Sequence, residues 1–304
     1  MTDLLDFSPQ VANALADHKP VLAFESTIIS HGMPYPRNVE TAIEAERIAR
    51  AAGVAPATVA VLDGRIAVGL SEAQLERLAT EKDVLKVSRR DMAWTLATRR
   101  TGATTVSATM LAARMAGISV FATGGIGGVH RGAEGTFDIS TDLAELASTS
   151  VMVVSAGAKA ILDLPRTLEV LETLGVPVVG FGINEFPAFY SRSSGLPLSL
   201  RVDTPGEAAA VLQAQRSLGF PQGVLVANPV PMEWEIPQQT MEHWIAQAMK
   251  DLAKHEVIGK GVTPFLLSRI VELSGGKSLE TNVKLFHNNV QLGSAIAVDI
   301  LREG

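Results

Sequence analysis

Cysteine is missing altogether from the 304 residues. A disulfide framework, a Cys-ligated zinc and a thiol nucleophile are therefore excluded. No charge of one sign dominates either: 26 basic residues stand against 32 acidic ones, a net charge of -6, mixed along the chain. That balance argues against general affinity for nucleic acid or an anionic membrane, while leaving room for a local basic pocket. No apolar run reaches the roughly 18–20 residues that a membrane helix needs. The opening stretch MTDLLDFSPQVANAL is acidic and has no basic region followed by an apolar one, so no export signal is expected. Repeats, low-complexity tracts and long linkers are lacking too. The expectation is a soluble cytoplasmic protein.

What is present is apolar material in short and long blocks. Hydrophobic residues make up 47% of the chain, ample for a core, and the length admits one large domain or two ordinary ones. VLAFESTII (21–29) reads as a first strand and VETAIEAERIARAAG (39–53) as a helix closed by Gly53. ATVAVLDGRIAVGL (57–70) reads as a hairpin turning at Asp63-Gly64, the dipeptide favoured in two-residue turns. A Ser cap with Glu and Gln behind it starts a helix near Ser71. Strands are expected at 84–88, 118–123, 151–155, 176–182 and 223–228, with a helix over 107–117 and helical segments between the later strands. Near-continuous Val/Ile/Leu strands alternating with helices predict a largely parallel sheet covered on both faces, made mixed by the hairpin. From about Met232 the chain reads as mainly helical. The economical reading is a single α/β domain over 1–304 with a helical C-terminal layer.

In open parallel sheets ligands collect beyond the carboxyl ends of the strands. Five such ends carry polar groups: Glu25, Lys86, the loop from Thr123, Lys159 and Asn228. In the loop, Gly124, Gly125, Gly127 and Gly128 would let backbone amides approach an anion. Their spacing is neither a dinucleotide fingerprint nor a Walker A sequence. His130, Arg131, Glu134, Asp138, Ser140 and Asp142 follow within thirteen residues. Carboxylates with water suit a hard divalent cation; the plainer alternative is an acidic surface loop with Ser140 as a helix cap. Glu25, in an apolar strand, either pairs structurally or is held as a proton donor by burial.

Lys159 follows Ser-Ala-Gly-Ala behind the strand VMVVS. A solvated lysine is the ordinary case. The alternative is that it opens a helix, where the positive helix end and apolar surroundings favour the neutral amine that attacks carbon.

With these residues in hand, the chain resembles the pseudouridine-5′-phosphate glycosidase family, which also contains indigoidine-synthase-A-like proteins. ESTIISHGMPYP, VSRRD, GATTVSATM, FATGGIGGVHRGAEGTFDIS, SAGAKAILDL, FPAFYSR, VANPVP and TPFLLSRIVELSGGKSLETN carry the resemblance, in order from about residue 20 to 290. INEFPAFY and Pro165 depart from the pattern beside the matched motifs, on the substrate rim. The resemblance implies an α/β/α sandwich, a homotrimer, and reversible cleavage of pseudouridine 5′-phosphate to uracil and ribose 5-phosphate with a divalent metal, usually Mn²⁺. It aligns Lys159 with the covalent lysine, Glu25 with the proton donor and Asp138 with the metal carboxylate. Lys86, Val106, Ser140, Thr141 and Asp142 align with substrate-binding positions, with His130 and Asn282 near the same site. Three other readings are left open by the residues: a Schiff-base aldolase on another sugar phosphate, a non-enzymatic sugar-phosphate sensor, and a pigment-pathway role on a related C-glycoside phosphate.

Overall fold

A computed structural model describes residues 4–255, 257 and 259–302. In chain order its strands are β1 (Leu5–Phe7), β2 (Val21–Phe24), β3 (Ala55–Leu62), β4 (Arg65–Val68), β5 (Leu85–Val87), β6 (Gly102–Thr104), β7 (Val120–Ala122), β8 (Val129–His130), β9 (Met152–Ser155), β10 (Leu162–Asp163), β11 (Val178–Phe181), β12 (Leu200–Val202) and β13 (Val224–Ala227). The helices are α1 (Pro9–Ala16), α2 (Arg37–Ala51), α3 (Glu72–Thr80), α4 (Arg89–Ala97), α5 (Val106–Met115), α6 (Ala133–Thr136), α7 (Thr141–Leu146), α8 (Leu164–Thr173), α9 (Pro205–Ser217), α10 (Gln238–Leu252), α11 (Val262–Leu273) and α12 (Lys277–Arg302).

The order β3-β2-β7-β9-β13-β11-β12 is parallel throughout. β2, β7, β9 and β13 are buried along their whole length, which is why they read as unbroken apolar runs. The outer half of β3 leaves this arrangement and pairs antiparallel with β4 and β6, while β5 joins β6 and β1 joins β4 in parallel. The mixed, largely parallel sheet follows the expectation. Asp63 and Gly64 have φ of 53° and 83°, the paired positive values that a type I′ turn requires. Ser71 caps α3 in a reciprocal box with Gln74.

The first strand is shorter than expected. β2 stops at Phe24, and Ile28–Gly32 coil into a π-helical turn. Ser26 explains the stop: its Oγ donates to Val59 O (2.6 Å) and accepts from Thr104 N (2.9 Å). That bond puts β6 beside β3 where β2 would have continued.

Helices cover both faces, giving the α/β/α sandwich. α12 lies across β2, β7 and β9 with α2 and α9 against it, and α5 with α7 covers the opposite face. Gly293 sets how near α12 comes. A Cβ there would sit 3.1 Å from Leu22 Cδ1 and 3.3 Å from Ala122 Cβ. Gly293→Val should therefore force the helix off the sheet and lower stability by about 1–3 kcal/mol, read as a shift of the urea midpoint. An unchanged midpoint would mean that α12 has slack at this contact.

Candidate active site

Glu25, Thr123 and Lys159 leave the adjacent strands β2, β7 and β9 at the same edge. The register pairs Phe24 with Ala122 and Ala122 with Val154, so Glu25 and Thr123 are level and Lys159 lies one short loop beyond. Glu25 is buried, and its two carboxyl oxygens accept from the hydroxyls of Thr27 and Thr123. Behind Thr123, Asn289 Nδ2 donates to its carbonyl (2.8 Å), and Asn228 Nδ2 donates to Asn289 Oδ1 (2.9 Å). Asn228, a strand-end residue expected at the site, thus supports it from behind.

Lys159 does not open a helix. After β9 the chain turns at Gly157 (φ 81°), where a Cβ would lie 2.5 Å from Pro187 O. Lys159 N then donates to Ile126 O (3.1 Å). α8 starts only at Leu164, capped by Asp163 with Pro165 in its first turn. No helix end acts on this lysine, contrary to expectation: a bridge between Ile126 and Ala158 holds the segment extended beside the glycine loop. Its electrostatic neighbour is Lys86, whose ammonium is brought down to about 8, chiefly by burial and then by the charge of Lys159, against Asp142 and Glu25.

Two cavities meet at this point and share Glu25, Thr27, Lys86, Lys159 and Thr263. The smaller, about 50 Å³, is walled by Ile28, Phe189, Pro264 and Leu267, with Asn282 and His31 as its other polar groups of note. The larger, about 300 Å³, is lined by Arg90, Val106, His130, Asp138, Ser140, Thr141, Asp142 and Lys260. Every residue that the family resemblance aligns with the site lines one or both.

The larger cavity is built for an anion. The N-terminal ends of α4, α5 and α7 reach it through Ser88, Thr105 and Ser140, and the positive ends of the helix dipoles favour negative charge there. Lys86, Arg90 and Lys260 add cations. Lys260 is seated by Asp91 Oδ2 (2.6 Å) and Lys86 O (2.9 Å). Asp142 ties the wall together, accepting from Ser107 N (2.9 Å) and Gly127 N (2.8 Å). Ser140 is indeed a helix cap, its Oγ accepting from Asp142 N (3.2 Å), and it faces the cavity as well.

The glycine loop serves packing more than anion binding. Ile126 N donates to Gly157 O and Gly127 N to Asp142, so those two amides are taken. Cβ atoms at Gly125, Gly127 and Gly128 would collide with Phe189, Ser140 and Thr167. Arg131 and Glu134 point elsewhere, to Glu242 and Arg166.

Among the described residues no group of three or more His, Cys, Asp or Glu side chains is arranged to hold a metal. Asp138 is 44% exposed, 3.9 Å from His130 Nδ1. Burial holds His130 below its usual range against the pull of Asp138, which leaves the imidazole neutral. One open carboxylate fits a hard, largely hydrated cation; it does not make a dedicated cage.

Thr123, Lys260, Thr263, Phe189 and His31 were not singled out from the sequence. Thr123 opens the glycine loop and had a local signal. His31 and Phe189 come from a turn and a loop, Lys260 and Thr263 from the C-terminal layer, and nothing in their spacing ties them to one another or to the strand ends.

A family description, indigoidine synthase A like protein, matches residues 10–299. The chain belongs to this family. It is 56% identical over 296 residues to the pseudouridine-5′-phosphate glycosidase of Solibacter usitatus, covering 97% of this chain and 99% of that one. With the Deinococcus radiodurans protein of the same name it shares 57% over 300 residues, covering 99% and 96%. Its fold superposes on the prealnumycin C-glycosynthase AlnA in complex with ribulose 5-phosphate, with a TM-score of 0.91, 36% identity and 99% and 98% coverage. An indigoidine synthase A-like protein from Thermotoga maritima superposes with a TM-score of 0.89 at 37% identity, covering 98% and 97%. No helix among the described residues is long and apolar enough to cross a membrane.

Lys86 carries its proton below about 8 and loses it above. Sulfate, which does not titrate in this range, should therefore bind more weakly as pH rises from 7 to 9.5, and Lys86→Met should remove that dependence. Calorimetric affinities that stay flat across the range in the parent protein would contradict the assignment.

Proposed function

We propose that this chain cleaves pseudouridine 5′-phosphate reversibly to uracil and ribose 5-phosphate, through a covalent adduct on Lys159. The observation that carries the reading is the shared wall: Lys159 and Glu25 stand where an apolar cavity meets an anion-binding one. The bond to be broken joins a planar base to a sugar phosphate and would lie across that junction. The names of relatives at more than half identity support the substrate, and the pentulose phosphate bound by the C-glycosynthase supports the sugar side.

The residues divide the work. Lys86, Arg90, Val106, Ser140, Thr141 and Asp142 line the place of the 5′-phosphate and sugar, and Asp142 also fixes the backbone at Ser107 and Gly127. Asn282, beside Phe189, faces the base. Remote binding of the phosphate fixes C1′ against the amine.

C–C cleavage would leave charge on carbon if it were direct, so the base is used as an electron reservoir. Its electrons first expel O4′ from C1′ and open the ribose ring. The Lys159 amine then adds at C1′. Carbon C5 takes a proton, with Glu25 as donor or relay. The C1′–C5 electron pair returns to the base as the nitrogen lone pair closes a C1′=N imine, and water releases ribose 5-phosphate. Several modest barriers replace one large one.

A divalent cation, Mn²⁺ by family resemblance, would be held by Asp138 and waters and would offset the charge of the phosphate or of the opened sugar. The reading also includes a homotrimer, which the resemblance implies, and a cytoplasmic location.

Incubation with pseudouridine 5′-phosphate and Mn²⁺ should release uracil, followed by chromatography; no uracil would sink the assignment and favour an aldolase or a sensor. Lys159→Ala should lose turnover by at least about 10³-fold, and substantial residual turnover would contradict a covalent role. Asp138→Ala should raise the Mn²⁺ concentration needed for half-maximal rate roughly tenfold or more, whereas an unchanged metal titration would remove Asp138 from the cation site.

A further inference from the structure

Among the described residues that line the apolar cavity, His31 is the one titratable group that the reaction above leaves idle. It belongs to the π-helical turn Ile28–Gly32 that follows Glu25, an uncommon conformation that tends to occur at functional sites. The turn is clamped just ahead of the histidine by bonds that do not involve the ring. Ser30 Oγ donates to Leu78 O (2.8 Å), and Asn38 Nδ2 donates to Ile29 O (2.7 Å). The imidazole is thus presented by a fixed backbone. It is half-buried and lines the cavity with Asn282 and Phe189, and its Nε2 is sealed from solvent without a completed hydrogen bond.

A buried nitrogen left in that condition is costly unless a ligand completes it. Burial, then the neighbouring Lys86 charge, hold the ring below its usual value, against the carbonyls of Leu85 and Val84. A neutral imidazole offers one N–H and one acceptor. Nε2 has no partner among the described residues, so it is the nitrogen that a ligand would complete.

The chemistry of the base says what it would meet. A uracil attached through C5 keeps both N1–H and N3–H, whereas one attached through N1 keeps only N3–H. N1 is also the atom from which electrons reach C1′ by way of C6 and C5.

We propose that His31 accepts the N1–H of the bound base, reading the C-linked isomer and taking the N1 proton as the ribose ring opens. This rests on the reading that the substrate is a C-linked uracil nucleotide. The step balances. N1 gives its proton to His31, its electron pair forms N1=C6, the C5=C6 pair forms C5=C1′, and the C1′–O4′ bond breaks with O4′ taking a proton from water. When the Lys159 amine adds at C1′ the electrons return and N1 recovers its proton from His31. Glu25 remains the donor for C5, so two different protons are handled by two different groups on one wall.

Three measurements on intact protein test this. His31→Ala should lower kcat/KM for pseudouridine 5′-phosphate by roughly 100-fold, within the range of a lost general base. The same variant should still form the borohydride-reducible imine with ribose 5-phosphate at the parent rate, because that reaction uses only the polar cavity. His31→Asn is the second variant should the first fail to fold. In a Lys159→Ala background, where binding is read without turnover, the unmethylated nucleotide should bind at least about tenfold better than its N1-methyl analogue. Adding His31→Ala should abolish that preference. A kcat/KM within twofold of the parent, imine formation lost in step with cleavage, or a methyl preference that survives the double substitution would each overturn the proposal. If the parent protein itself releases no uracil, the reading of the substrate fails first, and the two failures are told apart.

Discussion

The parallel register of three neighbouring strands is the constraint on which the site depends. β2 and β7 end level and β9 one residue further on, and the residues just past their ends are Glu25, Thr123 and the turn that carries Lys159. A slip of one residue in a strand would turn its side chains to the other face, and the carboxylate would lose the hydroxyl of Thr123. Side chains behind the edge enforce the alignment. Ser26 ends β2 by bonding across to Val59 and Thr104. Asn289 and Asn228 hold the carbonyl of Thr123 from the helix and the neighbouring strand end. Glycine is required at 157 because the backbone there adopts a positive φ against Pro187.

From that edge follows a division of electrostatic labour. The polar cavity gathers three helix N-terminal ends and several cations, which suits a dianionic phosphate and keeps the far end of the ligand fixed. The apolar cavity sets Thr123, Asn282 and His31 against a wall of Ile28, Phe189, Pro264 and Leu267. Lys86 belongs to both. Its charge favours the anion, and its proton is held loosely enough, near 8, that the enclosure can change charge in the physiological range. Lys159 is placed by backbone bonds rather than by a helix dipole, and its surroundings are a second amine and a carboxylate.

Much of the scaffold was legible in the sequence because its signals are local. Valine-rich buried strands, the Asp63-Gly64 turn and the Ser71 cap each follow from a short stretch and one physical rule. The candidate residues Glu25, Lys86, Asp138 and Lys159 were legible as polar groups at strand ends. What stayed hidden was long-range. The loop after β9 looks like a helix start because Ala-rich sequence follows a strand, yet pairing with Ile126 keeps it extended. The glycines look like an anion loop, yet Phe189, Ser140 and Thr167 occupy the space that side chains would need. Lys260 and Thr263 reach the site from the C-terminal helical layer, and only assembly of the three layers brings them there. His31 sits in a motif that carried the family resemblance, but its lack of a partner is a property of the packed structure.

The central claim is that one particular amine of two in the same enclosure bonds to the sugar carbon. Reduction with borohydride in the presence of ribose 5-phosphate, followed by peptide mass mapping, addresses it directly. The account predicts a single adduct on the peptide bearing Lys159 with Lys86 unmodified. An adduct on Lys86, or none on either lysine under conditions where uracil is released, would contradict it.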